Sequence, residues 1–454
     1  MKSLLFAFSL IFAVPAFAHA VRPEVAQLRD AALQDNYAWD IVEGLTTEVG
    51  PRLAGTEAEA RARDWAVKKL KALGFANVRV ETFDMPTWTR GPESAEILVP
   101  FPQKLVVAAL GNSASTPPEG IAAEVVGFDT LAELEAAPDE AVRGKIVFVS
   151  HAMPRTQDGS GYGHFGGPRR QGPSIASRKG ALAIVIRSIG TGYHRHPHTG
   201  TMSFTEGVKP IPAGALSLSD AEQLQRILKR GKPVTMRLTL VSHRGLGQSG
   251  NVIADVPGRD PSAPPVLVGC HLDSWDLGTG AVDDAAGCAI VAAAAKRIMD
   301  QGQPVRTIRI VWFGAEEVGL LGGLDFKRRH PGPYHVVAES DFGAGRIWKV
   351  DSKLGKEREA EAKLLQAALA PLGIVPGALD KAGGSDIGPL IEAGAPAVGL
   401  RQDGTHYFDV HHTPDDTLDK VDPVDLRQNV AAWTAMLALL AGEIRTEPKR
   451  RLRR

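Results

Sequence analysis

The chain has 454 residues, 44% of them hydrophobic and 23% charged, and its acidic and basic side chains balance to a formal net charge of zero. That length exceeds one ordinary domain and that composition supplies a sizeable core, while the lack of a net basic field argues against nucleic acid or an anionic membrane as a partner. The only two cysteines, Cys270 and Cys288, exclude a disulfide-stapled scaffold, and their apolar surroundings favour free buried thiols.

In chain order, Met1-Lys2-Ser3 gives a short positive start, residues 4–14 are apolar, and Ala16-Phe17-Ala18 or Ala18-His19-Ala20 offers a small-x-small cleavage site. Residues 1–20 therefore read as a signal peptide, which places the mature protein in the periplasm or outside the cell. No later stretch reaches transmembrane length. Residues 21–110 open the larger domain. They hold a helical region, a Gly/Pro loop over residues 48–56, and a capping box from Thr56 and Glu59 that starts a helix through Leu70. Residues 76–82 alternate as a strand.

From about residue 110 the texture changes. Strands at 144–149 and 181–186 and helical signals at 174–179 and 219–229 are separated by Gly-, Pro- and His-rich stretches. Residues 111–243 read as an inserted small α/β domain. Within it, 153–205 reads as mostly long polar loop, of the kind that forms a lid, a binding element or a disordered segment. Residues 244–445 then alternate strand and helix: strands at 265–270, 305–313 and 397–400, helices at 285–299, 357–372 and 424–441. This implies an α/β fold, a mixed, mostly parallel sheet flanked by helices on both faces. Residues 446–454 form a basic, solvated tail.

Five short segments place acidic or imidazole groups in turns, most of them just after predicted strands, where ligands collect in open α/β sheets. They are His271-Leu272-Asp273, Asp283-Asp284, Glu316-Glu317, Glu339-Ser340-Asp341 and His411-His412-Thr413-Pro414-Asp415-Asp416. Each alone has an ordinary explanation; Asp283-Asp284, for instance, is a good helix N-cap. Together they supply a bridging carboxylate with a His and a carboxylate for each of two zinc ions. Adjacent Glu316 and Glu317 leave the backbone in different directions, so one can bind metal while the other accepts a proton. Asp273 sits where it can orient the His271 imidazole.

With these motifs the chain resembles the co-catalytic di-zinc aminopeptidase family, of the bacterial leucyl aminopeptidase and glutamate carboxypeptidase type. Residues 271–276 (His-Leu-Asp-Ser-Trp-Asp) and Gly384-Ser385-Asp386 bring it closest to the plasma glutamate carboxypeptidase branch. The resemblance implies a zinc exopeptidase fold with a protease-associated-like insertion at 111–243. It also implies two zinc ions per chain. Asp283 would bridge them, Glu317 and His412 would complete one, and His271 and Asp341 the other. Glu316 would be the general base, Asp273 a catalytic residue as the support for His271, and the Asp283–Asp284 peptide would be cis. The substrate would be a peptide or dipeptide cut near a free terminus, and the assembly a homodimer. His406-Tyr407 would either line the pocket or lie on the surface. A glutaminyl cyclase-like enzyme with one zinc, or a receptor-like relative with a decayed site, are the alternatives; the complete ligand set and Glu316 stand against both.

Overall fold

The computed structural model describes residues 21–445, so the signal segment 1–20 and the basic tail 446–454 lie outside the described residues. Its core is a mixed sheet of 14 strands. At the centre of one half, Ala397–Gln402, Val336–Glu339, Val266–His271 and Ile308–Phe313 lie side by side and parallel. Ile347–Lys353 and Thr235–Val256 flank this block antiparallel.

Alternation along the central strands decides the two faces. Val266, Val268 and Cys270 join Ile308, Ile310 and Trp312 in one apolar cluster, while Leu267, Val311 and Phe313 enter another. The first face is covered by helix Ala286–Gln301, buried on almost every side. Its run of alanines lets it sit close to the sheet and to the helices Tyr37–Gly44 and Pro423–Leu440 packed outside it. The opposite face takes helices Leu321–Arg329 and Gly388–Glu392 through Phe326, Leu390 and Ile391.

Strands Ile121–Phe128, Ile146–Val149, Ala183–Arg187 and Ala213–Leu216 extend the sheet in parallel. They join it through Thr235–Val256, one end of which pairs with Ile121–Glu124 and the other with Ile308–Trp312. Along its length this strand is antiparallel to Ala76–Val99, far longer than the strand expected at 76–82. Pro86, Gly91 and Pro92 read as breakers, but the partner strand overrides them, and the register slips between Arg90 and Glu93 where Gly91 and Pro92 sit.

Helix Glu57–Ala72 begins as expected, with the Thr56 side chain accepting from Glu59 N. The Glu59 carboxylate, fully buried, reaches back to Gly55 N at 2.9 Å and also meets Arg63 and Ser249 Oγ, each at 2.6 Å. Residues 153–205 are not one long loop: helices Ser160–Phe165, Gly167–Arg170 and Gly172–Arg178 lie within them.

The expectation of free thiols is corrected. Cys270 and Cys288 form a disulfide. Cys270 closes a strand and Cys288 lies in the first turn of the helix packed on that strand, which brings their Cα atoms within 5.0 Å. Among the described residues no helix is long and apolar enough to cross a membrane.

Candidate active site and metal centre

His271 ends strand Val266–His271, Glu316 and Glu317 follow Ile308–Phe313, and Asp341 follows Val336–Glu339. These strands are parallel, so the side chains gather at one carboxyl edge of the sheet. Asp283 comes from the turn Ala281–Ala285 leading into the alanine-rich helix, and the Asp283–Asp284 peptide is cis. His412 follows the short helix Tyr407–Val410.

Asp283 is the hub. Its Oδ1 lies 3.1 Å from His271 Nε2, which lies 3.3 Å from Asp341 Oδ1. Its Oδ2 lies 3.1 Å from His412 Nε2, which lies 2.9 Å from Glu317 Oε2. The structure thus brings together all five side chains expected to hold metal, as two triads that share Asp283, with donor atoms in each within 4.8 Å of one another. His411 Nε2 also reaches Asp283 Oδ2 at 3.1 Å, and its ring stacks on His412 at 3.6 Å. The contact with Glu317 belongs to His412 alone.

Glu316 faces the same cavity, and among the described residues its carboxylate makes no hydrogen bond. Asp273 acts differently from the sequence reading. Its carboxylate accepts from the backbone N–H groups of Glu316 at 3.1 Å and Glu317 at 3.3 Å. His271 Nδ1 instead faces the Asp273 backbone carbonyl at 2.9 Å, with the carboxylate 3.8 Å away. One residue therefore aims both the imidazole and the glutamate pair.

Other side chains of the frame, most of them within the quoted motifs, take parts that the sequence reading did not assign. The Asp284 carboxylate accepts from His271 N at 3.2 Å and Gly287 N at 3.0 Å, so it caps the helix and anchors the strand end together. The Asp416 carboxylate accepts from Val282 N at 2.7 Å and Asp283 N at 3.2 Å. Buried Arg52 donates to the carbonyls of Thr279 at 2.6 Å and Gly280 at 2.9 Å. Ser385 Oγ donates to Asp341 Oδ2 at 2.8 Å. Ala315, Leu320 and His412 hold φ of 58°, 59° and 57°, a left-handed backbone costly for such residues and tolerated where the surroundings over-determine it.

The electrostatics are those of a site that wants cations. Burial and Asp341 push Glu316 well above the ordinary carboxylate range, and burial and Asp283 do the same to Glu317. Burial opposes charge on His271, but Asp341 and Asp283 hold its pKa well above the ordinary value. Burial also opposes charge on Asp283, yet His411, His271 and His412 hold it well below. Among the described residues, Asp283 Oδ2 and Glu317 Oε1 are buried with no hydrogen-bond partner. Imidazole and carboxylate donors with unspent lone pairs, closely grouped and turned to a cavity, fit zinc.

The cavity, about 300 Å³, has a wall that sequence reading missed. Tyr162 and Arg169 reach it from 153–205, and the Tyr162 hydroxyl accepts from Arg169 Nη1 at 2.7 Å. Burial pushes Tyr162 up to about 12. The buried His198 ring lies 4.9 Å from both His411 and His412. Thr199 N donates to the His412 carbonyl at 3.1 Å. The only signal was the density of His, Tyr and Arg in a segment with weak periodicity. Tyr407 lines the cavity, whereas His406 is exposed and pairs with Asp409 and Arg155. Asp341, Phe342 and Ser385 also line a second, adjoining cavity of about 500 Å³ that carries Lys349, Lys381 and Arg401.

Residues 251–437 match the family model described as peptidase family M28. Carboxypeptidase Q of Bos taurus is 34% identical over 415 residues, covering 89% of this chain and 85% of that protein. The crystal structure of a peptidase M28 precursor from Shewanella amazonensis superposes with a TM-score of 0.90 at 46% identity, covering 94% of this chain and 98% of that one. A zinc aminopeptidase from Bacillus subtilis shares the fold, with a TM-score of 0.65 at 20% identity over 88% of this chain and 94% of that one.

Proposed function

The chain belongs to peptidase family M28, and from that premise we propose a zinc-dependent exopeptidase built on the Asp283 hub. The observation that carries the reading is one buried carboxylate facing a His and a carboxylate on each side. Asp283 would bridge two zinc ions, with Glu317 and His412 on one and His271 and Asp341 on the other. Zinc held there supplies Lewis acidity toward a carbonyl and lowers the pKa of water to about 7.

This chain's own residues do the rest. The Glu316 carboxylate, free of hydrogen bonds among the described residues and with its pKa raised by burial and Asp341, accepts a proton and returns it to the leaving amine. Asp273 is a positioning residue that fixes the backbone of the Glu316–Glu317 pair while its carbonyl orients His271. Tyr162 and Tyr407 stay protonated, since burial raises both phenols. Their hydroxyls serve as donors toward charge developing on the carbonyl oxygen.

The substrate is a short peptide, cut as by an aminopeptidase or a dipeptidase. Lys349 and Lys381 line the adjoining cavity, and among the described residues neither has a carboxylate partner. This favours a dipeptide whose free carboxyl end lies between them. Carboxypeptidase Q is named for carboxyl-end cleavage. The test is hydrolysis of an unblocked dipeptide against its C-terminal amide, in the wild type and in Lys349→Met/Lys381→Met. The unblocked substrate should win by about tenfold, the effect of 1.4 kcal/mol, and the double variant should erase the gap. Equal rates in the wild type would remove this assignment.

Residues 111–243 act as an inserted unit that closes the cavity through Tyr162 and Arg169 and backs His411 and His412 with His198. Export follows from the N-terminal segment, and a homodimer is the proposed assembly, to be checked by light scattering.

A further inference from the structure

Beside the catalytic cleft a second group of metal-ligating side chains brings the segment at 192–198 against the turn after His412. His194 Nδ1 lies 3.4 Å from Asp415 Oδ2, and His196 Nε2 lies 3.5 Å from Asp415 Oδ1. One donor atom from each of the three residues can be chosen so that all lie within 4.8 Å of one another.

The protonation pattern is informative. His194 Nε2 lies 2.5 Å from the Asp409 carbonyl, which only accepts, so the ring donates there. In a neutral imidazole the other nitrogen, Nδ1, then carries a bare lone pair. Among the described residues Nδ1 has no hydrogen-bond partner, although it is buried and faces a carboxylate. A lone pair aimed at a carboxylate is repulsive unless a proton or a metal cation lies between them. The arrangement also matches the way metal-ligating histidines are held, with one nitrogen on the metal and the other donating to a carbonyl.

Two further features fit. The Asp415 carboxylate makes no hydrogen bond and no Lys or Arg ion pair among the described residues, and Arg195, between the two histidines, turns away to Asp220 at 2.8 Å. A Cβ at Gly192 would come within 2.5 Å of His194 Nε2 and 2.6 Å of the Asp409 carbonyl, so a side chain there would block the bond that orients the ring. Donors ~2.0–2.1 Å from a tetrahedral ion sit about 3.3 Å apart, close to the separations seen.

We infer that His194, His196 and Asp415 form a third divalent-cation site, suited to zinc, that pins the segment carrying His198 and Thr199 to the turn carrying His412. The remaining coordination falls to water, since all three side chains are partly exposed.

The experiment strips the full-length protein with EDTA, dialyses it against zinc chloride and counts zinc per chain. The wild type should hold three equivalents and His194→Ala/His196→Ala two, with the zinc-free proteins melting at the same temperature. Only the wild type should gain a further rise in melting temperature from zinc beyond that of the catalytic pair. His196→Gln, which keeps bulk without the ligand nitrogen, should also hold two. Two equivalents in both the wild type and the double variant would overturn the third site and leave the catalytic pair standing. The third site is equally overturned if Asp415→Asn alters stability with an unchanged zinc count, because a plain imidazolium–carboxylate pair then accounts for the contacts.

Discussion

Two regions of this exopeptidase build one cavity by different means. The frame at residues 251–417 sets its donors at the ends of fully buried strands, and carboxylates such as Asp273, Asp284 and Asp416 pin the backbone behind them. The wall at residues 153–205 sets Tyr162, Arg169 and His198 on short helices and turns, held by scattered side-chain contacts. Arg155 is one of them, donating to both oxygens of Asp409 at 2.6 and 2.8 Å and to the Thr405 carbonyl. The contrast suggests a division of labour: the frame creates reactivity, and the wall shapes how the substrate meets it.

The largest expected effects lie in the frame. Glu316→Gln should lower kcat by about 10²–10⁴-fold with zinc content unchanged, whereas Asp283→Ala should lose both activity and zinc, as read by metal analysis. Full activity in Glu316→Gln would break the assignment of the general base. Wall substitutions should be milder. Arg169→Ala frees the Tyr162 hydroxyl without removing it and should cost less in kcat/KM than the roughly 10²-fold of a lost oxyanion donor, with zinc retained. Should Arg169→Ala instead release zinc, the wall would be part of the metal frame and the contrast would fail.

Outside the cavity the effects shrink to stability. Thr56→Ala removes the N-cap of Glu57–Ala72 and should cost about 1 kcal/mol, measured by urea unfolding. Smaller still is a pH effect at Glu361. Burial would raise its pKa, but His335 and Arg358 lower it from 4.5 to about 2. A carboxylate depressed in the folded state stabilises above its unfolded pKa, and that contribution is lost as pH falls through the folded value. Glu361→Gln should therefore lower stability modestly at neutral pH, where the contribution is fully present, and flatten the acid limb of stability between roughly pH 4.5 and 2.

How far the sequence could be read follows the same division. Local pattern pointed to His271, Asp283 and the Glu316–Glu317 pair, each beside a patterned strand or helix, whereas the choice of Asp341 and His412 and the role expected of every one of the six came from the family resemblance. Asp273 was half legible: its place beside His271 was visible, but the glutamate turn that its carboxylate holds is 43 residues away for Glu316. Arg52, Tyr162, Arg169 and His198 could not be found, since only the packing of remote segments brings Tyr162 and Arg169 to the cavity, Arg52 to the Gly280 turn and His198 to the His411–His412 pair. The strand Ala76–Val99 was cut short by Pro86 and Gly91, whose local preferences yield to pairing with Thr235–Val256. Likewise the disulfide depends on how helix Ala286–Gln301 crosses its strand, which no spacing reveals.

Anomalous diffraction at the zinc edge on crystals of the mature protein tests the central claim most directly. The account expects two strong peaks ~3.5–4 Å apart, one on each side of the Asp283 carboxylate, the first beside His271 and Asp341 and the second beside Glu317 and His412. A single peak on one side of Asp283, or none at that carboxylate, would contradict it.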